Sequence, residues 1–506
     1  MPRNGKRRLV ISWRWLTLVA WCGFLFFYGL SGPLYRTEAL RAIIGQSALD
    51  GHWLAPTLYG EPFLTKPPGA YAAIGLASLP FGRVTEETSR LPSAIAATAT
   101  VLFAFSTLRR FLGASQAFLA ALLLPVSILW LDKVPSAEID MLQLAWVSVA
   151  LFCFLRAEDA KDAGSDSAAL RWWVAALMSV AGGFLTKWTA PAFFYLAVGP
   201  YLLCRGRVRW LFGREHLLAA GLAVGVSALW AAMVAREVGW RTLVETVSAE
   251  GAQRFLPNHA GKKYPWEERL AFPFVVLGAT LPWSIPALIA LRPSFLRGLD
   301  DRTRNVVLLL HCWAWPNLLF WSLPAQHNVR YVLPICPAIT LLGVVALWKW
   351  FAAFAASRPT VTRTGLLLVI ALWLSVKVVF VERIVLARTA GRNARETGEQ
   401  ISRLVPEGEI LYLCRLKDEG VLFYYGRPAR RQIPIDPAPG TAVHAVLLDA
   451  EWDDHLYDGR PVHLAELRDQ QGAAIHVVRL HGPTEDEPVW FLWHLRTRLT
   501  SSPSPP

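Results

Sequence analysis

Apolar runs of membrane-spanning length recur over residues 13–380, separated by short polar connections. A soluble domain alternates apolar and polar positions, because one face of each of its elements must meet water. Runs of about 20 apolar residues match instead the hydrocarbon thickness of a bilayer. The pattern predicts about eleven spans, at 14–32, 90–108, 115–131, 139–156, 172–186, 189–204, 215–235, 270–291, 305–322, 331–350 and 364–381. Residues 67–81 are apolar but too short, and Pro67, Pro68, Gly69, Gly75 and Pro80 break them, so a helix lying on the membrane surface is expected. Residues 38–49 carry Leu40, Ile43, Ile44 and Ala48 at helical spacing and read as a second interfacial helix.

Beyond about residue 388 the pattern changes to short β-rich runs (410–414, 445–448, 475–480) between polar helical and turn stretches. The expected fold class is thus an all-α polytopic membrane protein with a small α/β C-terminal domain. The expected boundaries are 1–387, 388–500 and a disordered Pro/Ser tail at 501–506.

Composition agrees: 54% of the residues are hydrophobic and 23 are Trp. The net charge of +13 would suit a nucleic-acid partner if it formed a patch, but much of the excess sits in short connections between spans. With the basic N-terminus inside, alternate connections hold Arg109 and Arg110; Arg156, Lys161 and Arg171; Arg205 to Arg214; Arg292 to Arg304; and Lys349, Arg358 and Arg363. Positively charged loops stay in the cytoplasm, which excludes the nucleic-acid reading and orients the chain. An odd number of spans then puts the C-terminal domain outside. The first apolar run is too long for a signal-peptide core and lacks a small-residue cleavage site, so it reads as a retained anchor. The six cysteines show neither metal spacing nor plausible pairing and read as small apolar fillers.

The unusual polar residues fall on the outer side. Glu38, His52 and Lys66 occupy the first loop, Glu138 and Asp140 open the fourth span, and Lys187 separates the fifth from the sixth. Arg254, His259, Lys262, Lys263 and Tyr264 lie in the long 239–269 loop, and Arg330 opens the tenth span. Ionisable groups beside hydrocarbon are costly and mark function. Lys66, Lys187, Arg254 and Arg330 suit a phosphate. Glu38, at the start of a short helix, is kept ionised by the helix dipole and suits a base, with Asp140 as a second acid. His52, His259 and Tyr264 are candidates for the acceptor or loop site. Each also has a plainer reading: a helix-capping Glu38, a satisfied polar Asp140 at a span end, and Lys66 and Lys187 reaching for headgroups. His52 and His259 are as well explained as structural hydrogen-bonders, and Arg41, Lys262 and Lys263 as headgroup contacts.

Several segments resemble one family: D-G-H-W-L-A-P-T-L-Y-G-E-P-F-L-T-K-P-P at 50–68, R-L-P-S-A at 90–94, A-E-I-D-M at 137–141, F-L-T-K at 184–187, the Arg254–Phe255 pair, L-P-W-S at 281–284 and R-Y-V-L-P-I-C-P-A at 330–338. In that order they are similar to the GT-C glycosyltransferases of the protein O-mannosyltransferase and lipid A aminoarabinose transferase group. The resemblance implies a bacterial inner-membrane enzyme. It would move a sugar from a polyprenyl-phosphate donor, with inversion, to an extracytoplasmic lipid, protein or glycan acceptor. Lys66 and Lys187 match the family's lysines and Asp140 its second acidic site. The acidic pair that closes the family's first span falls near Arg36 and Thr37, with Glu38 displaced by one or two residues. Some relatives hold zinc through a carboxylate before the K-P-P lysine; Thr65 stands there, so no metal and no cofactor are expected. A flippase for lipid-linked sugars and an inactive assembly subunit are the alternative readings.

Overall fold

The structure, a computed structural model, describes residues 12–255, 258–259, 262–263, 265–324, 326–454, 457 and 459–483. The chain folds as two compact units, both discontinuous: 1–30, 64–73 and 90–382 form the first, and 31–63, 74–89 and 383–506 the second.

The first unit is helical. Among the described residues, five helical segments are long and apolar enough to cross a membrane: Glu86–Leu108, Ile139–Asp162, Arg214–Val238, Val329–Ser357 and Pro359–Thr389. Shorter apolar helices accompany them, among them Trp13–Phe27 and Ala190–Cys204. Ile139–Asp162 is 78% buried in its most apolar stretch and Pro359–Thr389 only 11%, so the first is a central helix and the second leaves its side chains for lipid. Two expected spans are interrupted. The 115–131 run ends its first helix at Leu123 and restarts at Ile128, where Ser127 caps the new turn by accepting from the Trp130 amide at 3.4 Å. The 270–291 run divides into Trp266–Ala279 and Ser284–Ile289. Pro125 and Pro282 fall in the two gaps, and proline supplies no amide to continue a helix.

Aromatic rings lock the central helices, with Phe154 meeting Trp173, Phe194 and Tyr201 edge-on at 5.3–6.4 Å. At the end of this stack Glu158 is buried and accepts from the Tyr201 hydroxyl and from Arg207 Nη1 at 2.9 Å. Arg156, which the sequence places among the loop cations, is buried too. Its guanidinium donates to Ser106 O at 2.7 Å and lies 4.7 Å from the Trp172 ring. The helix runs on to Asp162, six residues beyond the expected end of the span, and carries Arg156 into the packed bundle.

The second unit is built on a five-stranded mixed sheet. In spatial order its strands are Ala429–Arg431, Leu411–Leu413, Ala442–Leu448, Ala474–His481 and Arg460–Arg468, the first three parallel and the last two added antiparallel. Side chains alternate across it at period two. Val446, Ile475 and Val477 face one core with Ile401, Val421 and Leu422, and Ala445, Leu447, Val478 and Leu480 face another with Ile435 and Tyr457. The first core is closed by helices Ala394–Leu404 and Glu419–Tyr425. They approach so closely at Gly398 that a Cβ there would lie 2.6 Å from Val421 O.

First-loop residues belong to this unit. A helix is present at the expected place, Thr37–Leu49, and its Ala39 and Ala42 pack with Ile74, Val84 and Phe423. The Tyr424 hydroxyl accepts from the Leu34 amide at 3.1 Å and donates to Glu86 Oε1 at 3.1 Å, and Glu86 also pairs with Arg395. Two chain segments more than 300 residues apart thus form one folded body.

Gly398→Ala is expected to destabilise the second unit by about 1–3 kcal/mol, the usual cost of overpacking a filled contact. A lower unfolding temperature of the purified protein checks this, and an unchanged one contradicts it.

Candidate functional site

Conserving charge next to lipid requires pairing, and the first unit pairs its ions closely. Ile139–Asp162 starts with Glu138 at its N-cap and Asp140 in its first turn. Asp140 is 2% exposed and Lys187 1%, and Lys187 Nζ donates to Asp140 Oδ1 at 2.6 Å. Two residues back, Glu138 Oε1 accepts from Arg330 Nη1 at 2.8 Å. Tyr331 lies against both cations, its ring centroid 4.8 Å from Lys187 Nζ and 5.6 Å from the Arg330 guanidinium carbon. One acidic tripeptide, Glu138-Ile139-Asp140, therefore gathers two cations from distant turns onto one helix end.

The sequence folds this way for local reasons. Helix Asp166–Phe184 stops at Leu185, and Lys187 sits in the short turn before Ala190–Cys204, with its amide donating to Gly183 O at 2.7 Å. Arg330 lies in the 3₁₀ segment Val329–Ile335, which Asn328 caps by accepting from the Arg330 amide at 3.1 Å. Ser93, from R-L-P-S-A, reaches the Glu138 carbonyl at 3.4 Å.

The K-P-P turn docks against the Lys187 turn. The Gly69 amide donates to Leu185 O at 2.8 Å, and Trp188 Nε1 donates to Thr65 O at 3.2 Å. A Cβ on Gly69 would stand 2.7 Å from Leu185 O and 2.9 Å from Thr186 Oγ1, so only glycine permits this approach. Lys66 lies between these contacts and pairs with Glu250 on helix Trp240–Phe255. Beside Lys187 a recess of ≈ 20 Å³, the scale of one water, is lined by Tyr331, Phe272, Trp321, His327 and Asn328. His327 is held there by Ser322 O at 3.0 Å, and its ring lies tilted against Phe272, centroids 4.6 Å apart.

Lys66, Asp140, Lys187 and Arg330 thus meet in the first unit, but the lysines and Arg330 are not bare cations awaiting an anion: each faces a carboxylate. The sequence alone places Glu250 among the polar residues of the outward 239–269 loop, without a partner or a role, and does not single out Tyr331. Nothing in the spacing links Glu250 to a residue 184 positions earlier, although its place in the long loop is a signal. Glu38 and His52 belong to the second unit. Glu38 is in the first turn of Thr37–Leu49, as expected, and is half-buried, while His52 is exposed. Arg41 is buried on the same helix at 7% exposure, which overturns its reading as a headgroup contact. The helix turns its Arg41 face into the packed unit. Arg90 is also buried, with Nη1 donating to Leu30 O at 2.7 Å. Tyr264 lies outside the described residues, as do the side chains of Arg254, His259, Lys262 and Lys263.

Residues 65–232, which hold Lys66, Asp140 and Lys187, match the family described as dolichyl-phosphate-mannose-protein mannosyltransferase. The undecaprenyl phosphate-α-4-amino-4-deoxy-L-arabinose arabinosyl transferase of Pectobacterium atrosepticum is 30% identical over 345 residues, covering 65% of this chain and 58% of that protein. Its counterpart in Erwinia tasmaniensis is 27% identical over 61% of this chain and 54% of its own. The chain therefore spans little more than half the length of these curated relatives. Among solved structures, ArnT of Cupriavidus metallidurans bound to undecaprenyl phosphate superposes with a TM-score of 0.72 at 19% identity, over 92% of this chain and 99% of that one. An oligosaccharyltransferase of Archaeoglobus fulgidus gives 0.50 at 12% identity, over 94% and 74%. These likenesses at low identity establish the fold.

Lys187→Met alone leaves a carboxylate buried without its cation and should cost about 3–5 kcal/mol of stability. The double variant Asp140→Asn/Lys187→Met should recover most of that. Thermal unfolding of the two purified variants checks the pairing, and equal losses in both would contradict it.

Proposed function

We propose that this chain, which belongs to the GT-C group of the protein O-mannosyltransferases and lipid A aminoarabinose transferases, transfers a sugar from a polyprenyl-phosphate donor to an extracytoplasmic acceptor. The observation that carries the reading is the buried Asp140–Lys187 pair beside the docked K-P-P turn. Acid and base are held there at one helix end in a unit otherwise made for lipid. The fold shared with a protein solved with undecaprenyl phosphate supports the donor class, and the curated relatives' aminoarabinosyl transfer makes a pentose the first sugar to test.

Transfer with inversion joins an acceptor oxygen to the anomeric carbon from one side while the bond to the phosphate oxygen breaks on the other. The acceptor's proton goes to a carboxylate, and the departing phosphate takes the bonding electrons. Lys66 and Arg330, each carrying donors suited to phosphate oxygens, hold that charge as it grows. To reach the phosphate Lys66 must share or exchange its contact with Glu250, so donor binding and the Trp240–Phe255 helix are coupled. Asp140 is fixed in direction by Lys187 and either takes the proton or orients the donor sugar. Glu38, at the positive end of its helix, is the other base. No metal or cofactor is part of this reading, because Thr65 stands before the K-P-P lysine where a metal-holding carboxylate would be needed. About eleven spans, with the N-terminus inside the bacterial inner membrane and residues 388–500 outside it, complete the proposed arrangement.

Glu38→Gln should abolish transfer while the protein still accumulates in the membrane, and so should Asp140→Asn when it is combined with Lys187→Met, so that no buried charge is left unpaired. Mass spectrometry of envelope glycans from a deletion strain carrying each variant tests this, and wild-type glycans from both would remove these carboxylates from the mechanism. Lys66→Gln should raise the donor KM by about 10–100-fold, the value of one hydrogen bond to a charged group, with the acceptor KM unchanged. A reporter fused after Pro506 should read as extracytoplasmic, and a cytoplasmic signal would break the topology.

A further inference from the structure

The outer pair of strands in the second unit, Arg460–Arg468 and Ala474–His481, brings two imidazoles together on one face of the sheet. His463 Nε2 lies 3.1 Å from His476 Nδ1. The other nitrogen of His476, Nε2, donates to Asp449 Oδ1 at 2.8 Å. The strand register explains the meeting. His463 is paired with Val478, and Leu464 is bulged out before Ala465, so that Glu466 falls directly opposite His476. Residues opposite one another in an antiparallel pair share a face. His463, His476 and Glu466 therefore stand on the face that also carries Val478 and Leu480. None of them belongs to the transfer machinery above.

The hydrogen bonds fix where the protons are. A carboxylate oxygen accepts, so the Asp449 contact puts the His476 proton on Nε2 and leaves the lone pair on Nδ1. That lone pair faces His463 Nε2. An imidazole held through one nitrogen by a carboxylate, with the other nitrogen presented bare, is the arrangement that metal-binding histidines share. The spacing agrees. Two nitrogens each about 2.0–2.1 Å from one ion stand about 2.9 Å apart at a right angle and about 3.3 Å apart at a tetrahedral one, and the observed 3.1 Å lies between. Trp452 backs the pair, its ring centroid 5.4 Å from that of His476 and 5.5 Å from that of His463, and it stacks on Tyr457 at 5.9 Å. His476 is buried and His463 exposed, so one nitrogen is held rigidly while the other is reached from solvent. Among the described residues no three metal-ligating side chains already converge. The site is two nitrogens, with positions open to Glu466 across the strand pair and to water.

We propose that His463 and His476 bind one divalent transition-metal ion of the nickel, copper and zinc group, with Asp449 orienting His476 and with Glu466 and water completing the coordination. Nitrogen donors select these ions over magnesium and calcium, which take oxygen. On binding, the proton that His463 Nε2 gives to the hydrogen bond passes through solvent to its own Nδ1, and both facing lone pairs go to the ion. Arg460–Arg468 is an edge strand of the sheet, and the bound ion clips it to its neighbour, so that binding stabilises the folded unit. Thr65 and the K-P-P lysine play no part here, and the carboxylate missing before that lysine bears on the transfer site alone.

The test uses the full chain, carrying no oligohistidine tag, in neutral detergent and stripped of metal with a chelator. Competition against a chromophoric chelator and thermal unfolding are measured with Cu²⁺, Ni²⁺, Zn²⁺, Mg²⁺ and Ca²⁺. At least one of the first three should bind as one equivalent and raise the melting temperature, and Mg²⁺ and Ca²⁺ should do neither. His463→Gln, at the exposed position, should lose that equivalent and the rise, while its metal-free melting curve stays as in wild type. Asp449→Asn should weaken binding by about 10–100-fold, the usual effect of losing the carboxylate behind a ligating histidine. Lowering the pH from about 7.5 to about 5 protonates the imidazoles and should release the ion. A wild type that gains no equivalent, or a His463→Gln variant that keeps it, overturns the proposal. So does Mg²⁺ acting as well as Zn²⁺, binding that survives at about pH 5, or an Asp449→Asn variant as tight as wild type.

Discussion

A carboxylate and an ammonium ion buried side by side, Asp140 and Lys187, set the terms for the first unit. Removing either charge from water is very costly, and only a close partner with good geometry offsets that cost. The pair can exist only where helix Ile139–Asp162 begins and helix Asp166–Phe184 has ended, so it fixes the relative height of two central helices. The same demand recurs two residues away, where Glu138 takes Arg330, and again where Glu250 takes Lys66. Charge neutralisation thus draws remote turns together in a body whose apolar faces alone would let its helices slide.

This arrangement also explains how a site rich in cations can be held together inside a largely apolar body. An unpaired lysine buried among apolar side chains would destabilise the fold. Carboxylates beside the cations offset their charge and fix their direction; on the proposed reading, a donor phosphate would replace one acidic partner rather than enter a bare field. The Gly69 contact belongs to the same design. Its missing side chain lets the K-P-P backbone hydrogen-bond to the Leu185 carbonyl, and a Cβ would push Lys66 out of position.

The second unit solves a different problem. A three-stranded parallel core of three-, three- and seven-residue strands is too small to stand alone, and it is completed by an antiparallel pair and by the first loop. Helix Thr37–Leu49 supplies apolar surface to it through Ala39 and Ala42. Glu86 draws Arg395 and Tyr424 onto the 83–86 turn.

Much of this was legible in the residues themselves. Apolar run length dictated the helices, because hydrocarbon forbids unsatisfied backbone, and the proline-broken 67–81 segment read as short for the same reason. Short β-rich runs between polar stretches exposed the strands around 411, 445 and 477, and the motif lysines and Asp140 stood out because ions beside lipid are rare. Which charge meets which was not legible. Glu250 is 184 positions from Lys66 and Arg330 is 192 from Glu138, and no local spacing encodes partners so far apart. Arg156 and Arg41 look like surface cations until neighbouring helices bury them. Composition and periodicity act over a few turns of chain and so settled the elements and the class of chemistry. Pairing and burial arise from contacts between remote segments, and the tertiary structure alone decided them.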